Sequence, residues 1–462
     1  QRAWGVPLAC FMRGSGEEVE LLRNEEVNRR IVDAFREEGA DAWFKPGAKE
    51  RFLSGIEGID AKDWQQVTDI LDVWFDSGST HAFALRDRPG AKWPASLYLE
   101  GTDQHRGWFH SSLLQSCGTR GRAPYEGVLT HGFVLDERGQ KMSKSLGNTT
   151  APQDVTRQYG ADILRLWVAQ SDYAGDLRIG PEILKGAADS YRRLRNSFRY
   201  MLGALGQATP PEMPLDEMPE LERWVLHRLV ELDAEVRASY RAYDFQDVYQ
   251  RLFQFCTNDL SAHWFDIRKD ALYCDAPESP RRRACLWVMA RVFERLTTWL
   301  APILPFTMEE VWLNRHPGEE ESVHLHDFPE TPEEWRDDDL AARWVSIWRT
   351  RRVVTGALEI ERRAGRIGAS LEAAPILHVE DGETRAALAS IDLADLCITS
   401  AIELTSDAAP ESAFRLEDVP GVAVVPAPAP GEKCQRCWRI LPEVGQQRDP
   451  NLCARCESAV QG

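Results

Sequence analysis

Two lysines three residues apart, Lys141 and Lys144, lie in the polar stretch Gly139-Gln140-Lys141-Met142-Ser143-Lys144-Ser145-Leu146-Gly147-Asn148. An ammonium group on a flexible stem is a point charge suited to a polyphosphate. Flanking glycines let such a loop close and reopen. Ser143 and Ser145 either donate hydroxyl hydrogen bonds there or shape the loop. Upstream, Glu100 stands beside Gly101, so a ligand can approach its carboxylate without obstruction. That carboxylate suits an ammonium or a pair of hydroxyls; the alternative is a capping or salt-bridged glutamate. Asp103 is a ligand candidate or a helix cap, with Gln104 next to it. Near the other end, Cys434-Gln435-Arg436-Cys437 and Cys453-Ala454-Arg455-Cys456 have the form C-x2-C-x15-C-x2-C. Each pair turns two sulfurs toward one point, and four thiolates fill a tetrahedral zinc. A full sulfur shell leaves no position for water, so this zinc is expected to be structural. Two disulfides or a redox pair are the other readings of the spacing.

The elements that must position these groups follow from periodicity. Glu25 to Gly39 reads as an amphipathic helix with Val27, Ile31, Ala34 and Phe35 on one side. Ile70 to Asp76 reads as a strand ending at Ser77-Gly78-Ser79, and Ser96 to Glu100 as another. Thr102 or Asp103 is placed to cap a helix whose apolar side holds Trp108, Phe109, Leu113 and Leu114. Gly127 to Leu135 reads as a strand ended by Asp136-Glu137-Arg138-Gly139. Strands alternating with helices predict a parallel sheet, with ligands beyond its carboxyl ends. From about residue 182 the pattern is helical. Leu221, Val225, Leu229, Leu232 and Val236 share one face; Cys285, Met289, Val292, Leu296 and Trp299 share another. Four or five such helices predict a bundle, with Pro302 and Pro305 punctuating its last part. Residues 315–340 read as an acidic linker and 341–365 as a further helix. Ile376 to Val379 and Leu396 to Leu404 read as strands of a small α/β piece. Pro420 to Pro430 reads as a semi-rigid connector.

A length of 462 residues suits about three domains. Hydrophobic residues are 43% and charged residues 28%, in the range of soluble globular chains. No apolar run approaches a membrane span, and there is no signal-peptide pattern. A net charge of −18 and a pI near 5.1 argue against indiscriminate nucleic-acid binding. An RNA partner would have to meet a local basic face. Arg192, Arg193, Arg195 and Arg199, Arg281 to Arg283, and Arg349, Arg351 and Arg352 are such groups, as are Arg436, Arg439, Arg448 and Arg455 around the cysteines. Each can grip phosphate or lie on a solvated helix face. The ten cysteines, four of them at metal spacing, favour a reducing compartment.

Lys141 to Ser145 spells the KMSKS element of the class I aminoacyl-tRNA synthetases, and Leu146-Gly147-Asn148 continues their pattern. The segment Tyr98-Leu99-Glu100-Gly101-Thr102-Asp103-Gln104-His105-Arg106-Gly107-Trp108-Phe109 resembles the isoleucyl branch. So do Thr130-His131-Gly132-Phe133 and Gly160-Ala161-Asp162-Ile163-Leu164-Arg165-Leu166-Trp167. The resemblance runs from Trp4 to the C-terminus. It favours isoleucyl enzymes over the valyl, leucyl, methionyl and cysteinyl ones that share the lysine loop.

The resemblance implies a multidomain fold. Residues 1–181 would be the later part of a doubly wound (Rossmann-like) α/β catalytic domain, and 182–340 an all-α anticodon-binding bundle. Residues 341–430 would be a small α/β junction domain, and 431–462 a zinc knuckle that helps bind tRNA. It implies ATP-dependent joining of isoleucine to tRNA(Ile) through isoleucyl-adenylate, with Mg2+ accompanying ATP. Lys144 would be the more direct ATP ligand, with Ser143, and Lys141 and Lys144 together would neutralise departing pyrophosphate. Glu100, Gly101, Asp103 and Gln104 would bind the adenylate, and His105 would touch the nucleotide or belong to the core. Trp108 and Trp74 would wall the isoleucine pocket; plain core is the other reading for a tryptophan. The chain would be a C-terminal half that follows an inserted editing domain, without a His-x-Gly-His element, and would not proofread by itself. A cytoplasmic monomer is expected. The alternative function is a non-catalytic, zinc-containing tRNA-binding module.

Overall fold

The computed structural model describes residues 5–86 and 88–461, so Gln1 and Trp4 lie outside the described residues. It divides into two compact units, one running to Phe133 and including Tyr173–Leu177, the other comprising Val134–Asp172 and the chain from Arg178 onward.

In the first unit, Phe11–Arg13 is the middle strand of a small antiparallel sheet between Glu20–Leu21 and Gln65–Gln66. The helix Glu25–Glu38 forms as expected: Asn24 accepts the Val27 N–H at its start, and Gly39, at φ +75°, ends it. Its Val27, Ile31 and Ala34 pack with Phe11, Trp43 and Phe52. The Trp43 indole donates to the Val67 carbonyl at 2.7 Å, which satisfies its one polar atom inside that core. Farther on, Tyr98–Gly101 pairs in parallel with Val128–His131, Glu100 opposite Thr130 and Gly101 opposite His131. The helix Trp108–Arg120 lies between these strands in the chain.

Several local readings need correction. Ile70 to Asp76 is not a strand: Val73–Gly78 is helical, because the Asp72 carboxylate accepts the Trp74 N–H and caps it. The stretch 127–135 is two strands, Val128–His131 and Val134–Asp136, broken at Gly132. Neither Thr102 nor Asp103 caps the following helix. Residues Thr102–Arg106 form a 3-10 turn, and the Gln104 side chain accepts the Trp108 N–H at 2.9 Å instead. Leu114 points to solvent.

The second unit is dominated by helices: Pro181–Leu205, Glu220–Arg241, Phe245–Gln254, Asp266–Cys274, Pro280–Leu300, Pro305–Arg315 and Asp338–Arg363. A π-helical stretch, Phe255–Phe265, joins the third to the fourth. Both predicted faces are buried, Leu221 to Val236 and Cys285 to Trp299. Pro305 occupies the first helical position, where its missing N–H costs nothing. Residues 315–340 are no linker: Val323 and Trp335 are buried in the bundle core. Nor is 420–430 an unfolded connector. Val422–Val425 pairs antiparallel with Ile376–Val379, whose other edge pairs in parallel with Glu403–Thr405. The segment 396–404 supplies only that last strand, since Leu393–Cys397 is helical. The terminal module has a hairpin, Glu432–Lys433 with Ile440–Leu441, and the helix Ala454–Gln461. Among the described residues no helix is long and apolar enough to cross a membrane.

Candidate nucleotide corner, lysine loop and metal centre

The corner after strand Tyr98–Gly101 is built around a close approach at Gly107. A Cβ there would meet the Trp74 ring at 2.9 Å and the Gln104 amide oxygen at 2.5 Å, so only glycine lets Trp74, Gln104 and Trp108 converge. Gln104 holds the start of helix Trp108–Arg120 through its oxygen and donates its amide to Asp103 at 3.1 Å. Asp103 leans over Gly101, where a Cβ would lie 2.6 Å from its Oδ1. The Trp108 ring stacks flat on Tyr98, with centroids 4.1 Å apart and planes at 4°. Its indole N–H donates to the Ser77 carbonyl at 3.0 Å. Tyr98 is fixed in turn through Ser112, whose hydroxyl donates to the Gly78 carbonyl. The result is a rigid aromatic wall with Trp74, 47% exposed, at its rim. Glu100 is exposed at the carboxyl end of the strand, and among the described residues no side chain pairs with it. His105 sets its ring edge-on to Phe109 at 5.7 Å and is exposed, so it is no core histidine.

The lysine loop is clamped at its base and free at its tip. Asp136 accepts the N–H groups of Arg138 and Gln140 on Oδ1 and the Asn148 amide on Oδ2. Those bonds, the Gln140 N–H foremost, hold its carboxyl below the ordinary range. Asn148 also accepts the Ser143 N–H at 2.9 Å and donates to the Lys141 carbonyl at 3.3 Å. The Ser143 hydroxyl pairs with that of Ser145 and accepts the Leu146 N–H, which shapes the turn. Lys141 and Lys144 are exposed; among the described residues no carboxylate pairs with either amine. In the sequence Asn148 is only part of a pattern; its role as the clasp emerges from the fold.

The four cysteines converge. Their sulfurs all lie within 4.8 Å of one another, and all four side chains are buried. Cys437 and Cys453 sulfurs are 3.8 Å apart; tetrahedral Zn–S bonds of about 2.3 Å set edges of about 3.8 Å. The geometry fits a zinc ion held by Cys434, Cys437, Cys453 and Cys456, and none of these residues is in a disulfide. The surrounding arginines do not face outward as expected. Arg455 lies on Asp270 and Asp275, Arg439 faces Asp395, and Arg436 donates to the Cys274 and Tyr273 carbonyls. Only Arg448 of the four is exposed. Arg281, another candidate for phosphate, is held by Asp270, Asp275 and Asp395.

Residues 1–180 match the family model described as tRNA synthetases class I (I, L, M and V). Residues 222–378 match the anticodon-binding domain of tRNA ligase, and 431–459 the zinc finger found in FPG and IleRS. The isoleucine–tRNA ligase of Ruegeria pomeroyi is 62% identical across the whole chain, which covers 48% of that protein. That of Brucella abortus is 56% identical, again across the whole chain and 47% of its own length. The chain thus spans about half the length of the curated relatives it matches. Among solved structures, a LeuRS in ternary complex from Agrobacterium radiobacter aligns with 72% of this chain and 42% of its own. Its TM-score is 0.52 at 18% identity, a likeness of fold. Carried by its three family models and by relatives matched from end to end, this chain belongs to the class I aminoacyl-tRNA synthetases, in the isoleucyl branch.

Proposed function

We propose that this chain carries part of the machinery joining isoleucine to tRNA(Ile). The isoleucine carboxylate attacks the α-phosphorus of ATP, pyrophosphate leaves, and the acyl group then passes from AMP to a ribose hydroxyl of the tRNA. The observation that carries this reading is the 62% identity to an isoleucine–tRNA ligase along the whole chain. Chemistry of this kind needs positioning and charge stabilisation more than a covalent nucleophile. Lys144 is the ATP ligand, with Ser143 beside it, and Lys141 shares the pyrophosphate charge; Mg2+ comes with ATP. The unpaired amines support these roles, since no internal ion pair has to break before phosphate binds. Glu100 takes the substrate ammonium or the adenylate hydroxyls, with Gly101, Asp103 and Gln104 completing that corner. Trp108 and Trp74 form the apolar wall for the isoleucine side chain. Such a wall is worth about 1–3 kcal/mol per methylene, a limit for which isoleucyl enzymes are the standard case.

The parallel pair Tyr98–Gly101 and Val128–His131 belongs, in this reading, to a doubly wound Rossmann-like layer. Residues 182–340 take the anticodon end, 341–430 form the junction, and 431–462 bind one structural zinc through the four cysteines. The site is cytoplasmic and the enzyme monomeric.

The test supplies the portion of the relatives that this chain does not span, then measures isoleucine-dependent exchange of pyrophosphate into ATP. Lys144→Ala is expected to lower exchange about a hundredfold or more, with zinc content and unfolding midpoint unchanged. Exchange at the parent rate would remove Lys144 from the ATP site. Complete absence of exchange in the parent, with tRNA still bound, would favour the non-catalytic tRNA-binding module.

A further inference from the structure

The four-cysteine module is seated on the body by charge. Arg455, between two metal-site cysteines, donates from Nη2 to Asp270 Oδ1 at 2.8 Å and from Nη1 to Asp275 Oδ1 at 3.0 Å. Arg439 stands 3.6 Å from Asp395. The Ile440 N–H donates to the Ser400 hydroxyl at 2.7 Å. Behind this contact Arg281 holds the same three acids, at 3.0, 2.8 and 2.7 Å. Arg268 then ties Asp395 to Glu222. Four arginines, Arg455, Arg439, Arg281 and Arg268, face four carboxylates in one network, so these four cations are matched within the protein.

We propose that Arg455 is a positioning residue: its fork on Asp270 and Asp275 latches the metal module to helix Asp266–Cys274, and it is not a ligand of RNA phosphate. The module and that helix wall a cleft of about 450 Å3. Tyr273, 64% exposed, stands on the helix side and Trp438, 61% exposed, on the module side. One ring comes from each body, so the latch sets their separation. A planar guanidinium bridging two carboxylates fixes orientation as well as distance. The consequence for tRNA rests on the function proposed above; the latch itself does not.

The test uses the zinc-loaded full chain with Arg455→Met, Arg455→Lys, Asp270→Asn and the Met/Asn double variant. Two readouts are taken: amide exchange in 266–274 and 454–461, and tRNA affinity as a function of salt. Arg455→Met is expected to speed exchange about tenfold or more in both segments, with zinc still at one per chain. Arg455→Lys keeps the charge but loses the fork, and should behave like the Met variant. Each single change should weaken tRNA binding, the double should be no weaker than the worse single, and the salt slope should not move. Unchanged exchange in the Met variant overturns the latch. A salt slope lowered by about 0.7–0.9, with full retention of affinity in the Lys variant, makes Arg455 a phosphate ligand instead. Failure of the parent to bind tRNA removes the tRNA reading, and exchange alone then decides the latch.

Discussion

Asn148 donates its side-chain amide to Asp136 Oδ2 at 2.9 Å, and with its own oxygen accepts the Ser143 N–H at the same distance. One residue thus ties the far end of the lysine loop to the turn that starts it. Asn148→Ala removes both bonds, together with the longer one to the Lys141 carbonyl, and leaves the loop backbone to water. The expected result is a rise in amide exchange across 141–147 of about tenfold, from the roughly 1–2 kcal/mol that two such bonds contribute. Exchange elsewhere in the unit should not change. Equal exchange in parent and variant would mean that the loop is held by something other than this clasp.

The metal centre makes a separate prediction. The chain should bind one zinc, and Cys456→Ser should lose it, because three thiolates and a hydroxyl hold zinc poorly. Without metal the module has little core of its own: Cys274, Val444 and the four cysteines make up its buried cluster. Chelation should therefore unfold residues 431–461 while the helical bundle keeps its far-ultraviolet circular dichroism. Elemental analysis and amide exchange measure the two halves. Stoichiometric zinc in the Ser variant would refute the four-thiolate site.

Much of this was readable from local pattern. Asn24, the apolar spacing after it and Gly39 define one helix, and the C-x2-C pairs define the metal site. Where the reading failed, a local signal was masked or the partner was distant. Ile70-Leu71-Asp72-Val73-Trp74-Phe75 looks like a buried strand, yet Asp72 is a cap and Val73, Trp74 and Phe75 are exposed on a short helix. Val422 to Val425 is a buried strand hidden between prolines, recognised only through its pairing with Ile376–Val379. The arginines around the cysteines read as a basic face because their acids, Asp270, Asp275 and Asp395, lie far away in the chain. No periodicity reports a contact between residues 185 apart.

His263 offers a pH test. Its ring stacks on Trp348 with centroids 4.3 Å apart, and its Nδ1 is buried without a partner. Burial, reinforced by the nearby Arg351 cation, pushes its pKa down to about 4. The folded state therefore resists protonation that the unfolded chain accepts near 6.5. Stability is at its full value above that pH and falls as pH drops toward 4. Allowing for partial exposure, the loss is about 1–2 kcal/mol. His263→Phe keeps the stacking and should abolish this part of the acid slope in urea titrations between pH 7 and 4. A slope identical to that of the parent would assign it to other groups.

The most costly single change should be at Arg268. Its guanidinium reaches Glu222 through Nε and Nη2, at 2.6 and 2.7 Å, and Asp395 through Nη1 at 2.6 Å. Burial works against the charge, but the two carboxylates outweigh it and raise its pKa. Arg268→Met keeps the volume and removes the charge. Asp395 still has Arg281, whereas Glu222, 0% exposed, retains among the described residues only the Trp264 indole N–H. An uncompensated buried carboxylate should cost about 3–5 kcal/mol in urea unfolding. Adding Glu222→Leu to Arg268→Met should recover most of that loss, because an apolar pair of similar volume carries no stranded charge. A loss below about 1 kcal/mol in the single variant, in the range of exposed ion pairs, would show that water reaches this joint and that the network does not bind the bundle to the small sheet.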